Sequence, residues 1–261
     1  MNKLHTILNY LIYRFRSVNE HAIHSPFVFT LTRDIIYNKA AFYSYESIED
    51  LRRQLLRSNE QLKVVDLGAG SQVNNAHSRP ISQITRNAAK PAKYAQLLFR
   101  ICDHFQAHTI IELGTSLGIS TAYMASANSK STVHTIEGSP EIAQKAKQNF
   151  EQLGLHNIQQ HTGNFDNVLP RLLEQIPQPD LIFFDGNHRK DATLRYFELC
   201  LKKAHNETVF IFDDIYWSKE MTEAWEEIKK HDTVTVTVDL FFIGIVFFRK
   251  EQKKQHFVIK F

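Results

Sequence analysis

Two apolar runs that end in acidic residues carry the side chains of this 261-residue chain that are best suited to chemistry. One run leads into Asp185, and the other leads into Asp213 and Asp214. If both runs are parallel strands, their carboxyl ends open into one crevice. Three carboxylates there repel one another unless they are protonated, kept apart or neutralised by a cation. A divalent cation such as Mg2+ is one of these three solutions for Asp185, Asp213 and Asp214, because hard cations prefer such oxygens.

His188 follows Asp185 by three positions, in a predicted loop. A neutral imidazole has a pKa near working pH and can accept a proton from a hydroxyl group. We therefore predict that His188 is a general base and that Asp185 is the second catalytic residue. The alternative interpretation is a histidine that only makes structural hydrogen bonds, since the chain has 13 histidines.

A glycine turn follows the apolar run 109–113, in the pattern Glu112-x-Gly114-x-x-x-Gly118, and leads directly into a helix. Glycine permits positive φ and a close approach of ligand to backbone, and the start of a helix presents unpaired N–H groups. The turn therefore predicts a site for a nucleotide-like ligand. The Gly-x-Gly-x-x-Gly spacing of dinucleotide-binding turns is absent, which argues against a nicotinamide cofactor.

Two further segments extend this predicted ligand site. Glu137 and Gly138 end the run 133–136, and a carboxylate there can accept hydrogen bonds from both hydroxyls of a ribose; an exposed loop acid is the alternative. Asn164 and Phe165 follow a short strand near 158–161, where they either flank the ligand or form an ordinary turn with a helix cap at Asp166.

These side chains need a scaffold, and from residue 91 onward helical and strand patterns alternate, which predicts a parallel sheet covered on both faces. Strict alternation over 233–239 and then 242–248 predicts an antiparallel hairpin at the end. Before residue 91 the pattern is helical. Apolar residues at helical spacing predict an amphipathic helix over 3–16, and further helices are predicted from Pro26 and over 48–57.

In this order, the glycine turn, the acid at 137 and the segment at 164 resemble the class I S-adenosylmethionine-dependent methyltransferases over about residues 91–249. The resemblance implies a Rossmann-like α/β fold, with a seven-stranded, mostly parallel sheet ending in an antiparallel hairpin and helices on both faces. It implies a helical N-terminal extension, 1–90, and a methyltransferase domain, 91–261. It also implies that S-adenosylmethionine is bound by Glu112, Gly114, Thr115, Ser116, Gly118, Ser120, Glu137, Gly138, Asn164, Phe165 and Asp185.

Within that family, the acids resemble those of the cation-dependent, catechol-type O-methyltransferases, which place an Asp at the fourth strand tip and Asp-Asn at the fifth. Here Asp214 stands in place of the Asn, which keeps an oxygen ligand and adds a charge. The resemblance implies methylation of a hydroxyl on a small molecule. Without a metal, Asp185 would lie near the cationic end of the cofactor, and Asp213 with Asp214 would orient a loop.

Two other functions stay open. N-methyltransferases of nucleic acid or protein usually show Asn/Asp-Pro-Pro-Tyr/Phe at the fourth strand tip, and this chain has Asp185-Gly-Asn-His instead. A non-catalytic binding protein can keep the same fold. A similar glycine turn at 66–70 is followed by polar, irregular sequence rather than a helix, so we interpret it as a surface loop or a lid over an active site.

The composition sets the remaining expectations. The formal charge is only +3 and the basic residues are dispersed, so nucleic acid is not indicated as a partner. No apolar run reaches the ~20 residues of a membrane span, and no signal peptide is recognisable, which predicts a cytoplasmic protein. The apolar face of the helix over 3–16 must be buried on this chain or on a partner, which suggests a homodimer, rather than on a membrane surface.

Overall fold

The computed structural model describes residues 3–65 and 77–261, and these residues form two compact units. The first unit comprises residues 1–39 and 178–261, and the second comprises 40–177. Within the described residues, no helix combines the length and the apolar character that crossing a membrane requires. The glycine turn predicted at 66–70 lies outside the described residues.

The helices are α1 Lys3–Arg16, α2 Pro26–Leu31, α3 Tyr43–Arg57, α4 Ile81–Ala88, α5 Ala92–His104, α6 Ile119–Ala127, α7 Pro140–Gln152, α8 Phe165–Gln175, α9 Lys190–Leu201 and α10 Lys219–Lys230. A 3-10 turn covers Glu20–Ala22, and a π-helical turn, Thr32–Ile36, continues α2. The strands are β1 Gln61–Val64, β2 His77–Pro80, β3 Thr109–Leu113, β4 Thr132–Glu137, β5 Ile158–Thr162, β6 Leu181–Phe184, β7 Val209–Asp213, β8 Val236–Asp239, β9 Ile243–Phe247 and β10 Gln255–Val258.

The alternation of strands and helices builds an eight-stranded, mostly parallel sheet from β3 to β10, which confirms the predicted α/β class. The predicted count of seven strands was one too low. The added strand is β10, which pairs parallel with β8. Its four residues lie in a tail rich in charged residues, so the alternating pattern is short. The backbone of Val18 bonds to Val258 and Lys260 and holds this tail in place.

In the second unit, β3, β4 and β5 are adjacent and parallel. The buried core of β3 and β4 consists of apolar side chains, which are Ile110, Ile111, Leu113, Val133 and Ile136. The helices α3 to α6 share one apolar cluster in which Ile48, Phe99 and Tyr123 are buried. A short antiparallel pair, β1 and β2, belongs to the same unit and was not predicted.

In the first unit, the strand order is β10-β8-β9-β7-β6. β6 and β7 are parallel, whereas β9 runs antiparallel to both β7 and β8, as the predicted hairpin requires. The core is aromatic: Phe184 stacks on Phe212 with ring centroids 4.4 Å apart. Gly244 in β9 leaves room for Trp225, since a Cβ at Gly244 would lie 2.7 Å from its ring. β6 and β7 thus end side by side, and they carry Asp185 and Asp213.

Candidate active site

Glu112 lies in β3 with no exposed surface, and its carboxylate accepts hydrogen bonds from hydroxyl groups of its own unit. Ser120 Oγ donates to Oε1 at 2.6 Å, Thr135 Oγ1 donates to Oε2 at 2.7 Å, and Thr121 donates to the same Oε2. The hydroxyls of Thr135 and Thr115 lie 2.6 Å apart. A buried carboxylate needs such donors because desolvation of the charge is costly. Glu112 therefore joins β3, β4 and the start of α6.

The glycine turn that follows β3 depends on positive φ at three positions. Gly114 has φ 107°, Ser116 has φ 47° and Gly118 has φ 85°. A Cβ at Gly118 would lie 2.3 Å from the ring of Phe150, so the close packing of α7 also requires glycine. Asn149 of α7 donates to the carbonyl of Leu117 at 2.8 Å. The turn is thus fixed before any ligand binds.

Glu137 ends β4 and faces this turn. Its Oε2 accepts from the backbone N–H of Ser116 at 2.8 Å, and its Oε1 accepts from that of Ser139 at 3.0 Å. Burial raises the pKa of the Glu137 carboxyl, while the backbone donors of Ser139, Ser116 and Gly138 lower it. The hydrogen bonds from Ser116 and Ser139 use two of about four lone-pair positions of the carboxylate, which therefore retains acceptor capacity for a ligand. The predicted residues Glu137, Gly138 and Ser116 therefore come together.

Asn164 is the N-cap of α8, and its Oδ1 accepts from the N–H of Asp166 at 2.8 Å. The predicted cap is present, but Asn164 forms it rather than Asp166. Phe165 begins the helix and is half-buried. Gly163 donates its N–H to the carbonyl of Glu137 at 2.8 Å, so this segment lies beside the acid.

The first unit holds a separate group of polar side chains at the ends of β6 and β7. Asp185, His188 and Asp213 each offer a ligand atom, and these atoms lie within 4.8 Å of one another. His188 Nε2 is 3.9 Å from Asp185 Oδ1, and their side chains are 28% and 13% exposed. Asp213 is buried, with 1% exposure. The predicted neighbours Asp185 and Asp213 are brought together, and His188 joins them.

Asp214, the third predicted metal ligand, does not belong to this group in the part of the chain that the structure describes. Its φ is 53°, and its carbonyl accepts from the N–H of Trp217 at 2.9 Å. The backbone reverses at Asp214, so consecutive side chains do not continue the strand alternation. Sequence spacing alone did not reveal this turn.

The two carboxylates supply oxygen ligands, which hard cations such as Mg2+ prefer, whereas the imidazole nitrogen suits transition metals. The donor set of Asp185, His188 and Asp213 therefore fits a divalent cation, and its histidine favours a transition metal over Mg2+.

Sequence reasoning missed several supporting residues. Thr121 and Thr135 complete the Glu112 network, and a Thr at those positions carries no recognisable signal before the fold is known. Ser139 links Glu137 to β1, since its Oγ accepts from the N–H of Val65 at 3.2 Å. Its position directly before Pro140 is the one available hint, because Ser is favoured at helix starts.

The residues of this candidate site lie in a region that is similar to known methyltransferases. A family model described as a methyltransferase domain matches residues 111–215, which include Glu112, Glu137, Asp185 and Asp213. The catechol O-methyltransferase of Niastella koreensis is 36% identical over 126 residues, which are 47% of this chain and 55% of that protein. The chain therefore spans about half the length of this curated relative.

Solved structures of methyltransferases have a fold similar to that of this chain. The O-methyltransferase TomG of Streptomyces achromogenes, solved with SAM, has a TM-score of 0.56 and 22% identity over 64% of this chain and 86% of its own. A methyltransferase of Podospora anserina, bound to SAH, has a TM-score of 0.61 and 13% identity over 87% of this chain and 97% of its own. At these identities the likeness establishes the fold alone.

Proposed function

We propose that this chain is an S-adenosylmethionine-dependent methyltransferase that methylates a hydroxyl oxygen of a small molecule. The observation that carries the choice of oxygen is the group Asp185, His188 and Asp213 at the ends of β6 and β7, in a chain with a methyltransferase domain. Such a group can hold a hydroxyl and remove its proton. The curated relative named catechol O-methyltransferase supports the same choice.

The second unit supplies the cofactor site of this proposal. Glu137 accepts the two ribose hydroxyls, and the fixed turn from Gly114 to Gly118 lets the backbone approach the amino-acid end. Glu112 acts through the turn, because its carboxylate already accepts from three hydroxyls. Asn164 and Phe165 border the adenine in this assignment.

The first unit supplies the acceptor site. The hydroxyl oxygen attacks the methyl carbon in line with the S–CH3 bond, an O–CH3 bond forms, and the C–S electron pair returns to sulfur to give the neutral thioether. His188 accepts the hydroxyl proton. Asp185, 3.9 Å from His188 Nε2, stabilises the resulting imidazolium. Alignment is the main task of the protein, since the sulfonium is already an activated donor.

A divalent cation held by Asp185, His188 and Asp213 would lower the pKa of the acceptor hydroxyl and fix its position. If His188 is a ligand to that cation, it cannot serve at the same time as the base. Transfer by the wild type and by His188→Gln, in Mg2+ and in EDTA, separates the two roles. Transfer that persists in EDTA in the wild type and is lost in His188→Gln supports His188 as base.

The direct test is calorimetry with S-adenosylmethionine, followed by transfer to catechol in Mg2+ or in EDTA. We expect cofactor binding in both solutions and thioether product that depends on the acceptor. Absence of cofactor binding would overturn the methyltransferase proposal. Transfer to a polynucleotide or protein amine instead of catechol would favour the N-methyltransferase alternative, and binding without any transfer would favour the non-catalytic one.

We also propose that the chain forms a homodimer through α1. Its apolar residues are largely exposed, at Leu4 75%, Ile7 57%, Leu8 57%, Tyr10 45%, Leu11 60%, Ile12 43% and Phe15 93%. With about 200 Å² for each large side chain, they present roughly 850 Å². Each partner in a standard interface buries about 800 Å², whereas the largest patch on a typical monomer is about 300–600 Å².

A second copy suits this face better than a lipid surface. The opposite side of α1 packs on its own unit, where His5 bonds to Thr222 at 3.1 Å and Tyr13 donates to the carbonyl of Ile259 at 2.6 Å. A helix lying on a membrane would keep a basic polar face toward the headgroups. Sedimentation of Leu8→Glu/Leu11→Glu should show a monomer, whereas Tyr43→Glu, at the 94% exposed Tyr43, should stay dimeric. A monomeric wild type would refute the dimer.

We also propose that the protein is cytoplasmic, and that a helical extension over residues 1–90 precedes a methyltransferase domain over 91–261.

A further inference from the structure

The loop after β7 carries Asp213 and Asp214, and its far end is tied to a different strand. Tyr216 Oη donates to Asp239 Oδ2 at 2.5 Å. Asp213 in β7 pairs with Ile243 of β9, and Asp239 in β8 pairs with Gly244 of the same strand. The hydrogen bond from Tyr216 therefore spans the end of β9 and connects its two neighbours.

Asp239 is itself rigidly held. It is 4% exposed, and its Oδ1 accepts from the N–H of Phe241 at 2.8 Å. Its carbonyl accepts from the N–H of Ile259 at 3.0 Å, which belongs to the tail that Tyr13 of α1 binds. A buried carboxylate with fixed donors on both oxygens has one orientation available, so Tyr216 is bound to a stationary acceptor.

The ring of Tyr216 is supported from the other side. Phe241 stacks on it with centroids 5.3 Å apart and planes inclined by 24°. Tyr10 and Tyr13 of α1 contact Phe241 with centroids at 5.0 and 5.4 Å. Phe241 has φ 72°, a conformation that is costly for a bulky residue and persists only where surrounding contacts impose it. Helix α1 thus supports the ring that anchors the loop.

We propose that Tyr216 is a positioning residue, which fixes the turn at Asp213 and Asp214 through its hydrogen bond to Asp239. The inference rests on the proposed function, because the acceptor site is the part of the molecule that this turn would organise. Tyr216 touches no reacting atom in this assignment. Its hydroxyl limits the positions open to Asp213, and α1 maintains that constraint through Phe241.

The test compares Tyr216→Phe with a matched control, Tyr123→Phe. Tyr123 also donates to a carboxylate, Glu49 Oε1, at 2.8 Å, but it lies in the second unit. Both changes remove one hydroxyl and keep the ring. We expect Tyr216→Phe to lower kcat with catechol and to weaken Mn2+ binding, each about threefold to tenfold, because Tyr216 bonds to Asp239 and orients the proposed ligand Asp213 only through the intervening turn. Its affinity for S-adenosylmethionine should stay within about twofold of wild type, and Tyr123→Phe should change neither kcat nor Mn2+ binding.

Amide hydrogen exchange gives a readout that does not require activity. Exchange at the Trp217 N–H, which bonds to Asp214, should become faster in Tyr216→Phe and remain unchanged in Tyr123→Phe. Equal behaviour of the two variants in exchange and in turnover would overturn the positioning role. A wild type that neither binds S-adenosylmethionine nor transfers a methyl group would instead overturn the proposed function, while the exchange result would still decide the role of Tyr216.

Discussion

Glu112 and Asp185 both stand at the carboxyl end of a parallel strand, yet their surroundings differ. Glu112 has no exposed surface and accepts from three hydroxyls of its own unit. The Asp185 side chain is 13% exposed and lies beside His188 and Asp213. Desolvated acids with a full set of donors hold a fold together, whereas acids grouped with one another need a cation or a proton. We therefore expect Glu112 to stabilise the fold and Asp185 to take part in the reaction.

The largest loss of turnover is expected when Asp185 is substituted. Asp185→Asn keeps the shape but weakens both the proposed metal site and the stabilisation of His188, so turnover with catechol should fall by about 100-fold or more. The urea midpoint should change little. Asp214→Asn is the matched control, because Asp214 lies outside the group of ligand atoms. An equal loss of turnover in both variants would remove the distinction between these acids.

Glu137 is intermediate between these two acids. Its carboxylate accepts from the backbone N–H groups of Ser116 and Ser139 and still has lone pairs for a ligand. Glu137→Gln keeps one acceptor oxygen and should weaken binding of S-adenosylmethionine about tenfold to a hundredfold by calorimetry. The exposed Glu151 of α7 provides the control Glu151→Gln. Unchanged binding in Glu137→Gln would mean that the ribose is held elsewhere.

Glu112→Gln should act on stability rather than on chemistry. The amide replaces one acceptor with a donor that faces the hydroxyls of Ser120, Thr121 and Thr135, so a buried donor loses its partner. We expect a loss of about 1–3 kcal/mol in the free energy of unfolding, measured by urea denaturation. The companion variant Asp185→Asn should lose far less. If the two lose the same stability, burial does not separate the roles of the two acids.

Local sequence patterns predicted the strands and helices, but not the contacts between residues that are distant in the sequence. The strand 109–113 and the helix 3–16 were placed at their observed bounds, because apolar periodicity and the following glycines are local signals. The partners of Glu112 were not predicted, since Thr135 comes from another strand and meets Glu112 only after β3 and β4 pair. The sequence did not predict that His188 rather than Asp214 would lie with Asp185 and Asp213, because a positive φ at Asp214 breaks the strand alternation that the prediction used. The tail 250–261 was interpreted as either an edge strand or a solvated charge run, and β10 was left out of the strand count because only four residues alternate within a charged tail.

The smallest effect concerns a pair of histidines in the second unit that belongs to neither group of acids. His134 Nδ1 lies 3.3 Å from His161 Nε2, and burial together with the neighbouring His161 lowers the pKa of His134 to about 4. Burial also lowers the pKa of His161. The unfolded chain therefore binds protons between about pH 6.5 and 4 that the folded chain does not, so stability is fully present above pH 6.5 and falls as the pH drops through this range. His134→Gln should reduce the difference in urea midpoint between pH 7 and pH 5 without affecting methyl transfer at pH 7, whereas an unchanged difference would show that the half-buried pair is too well solvated to matter.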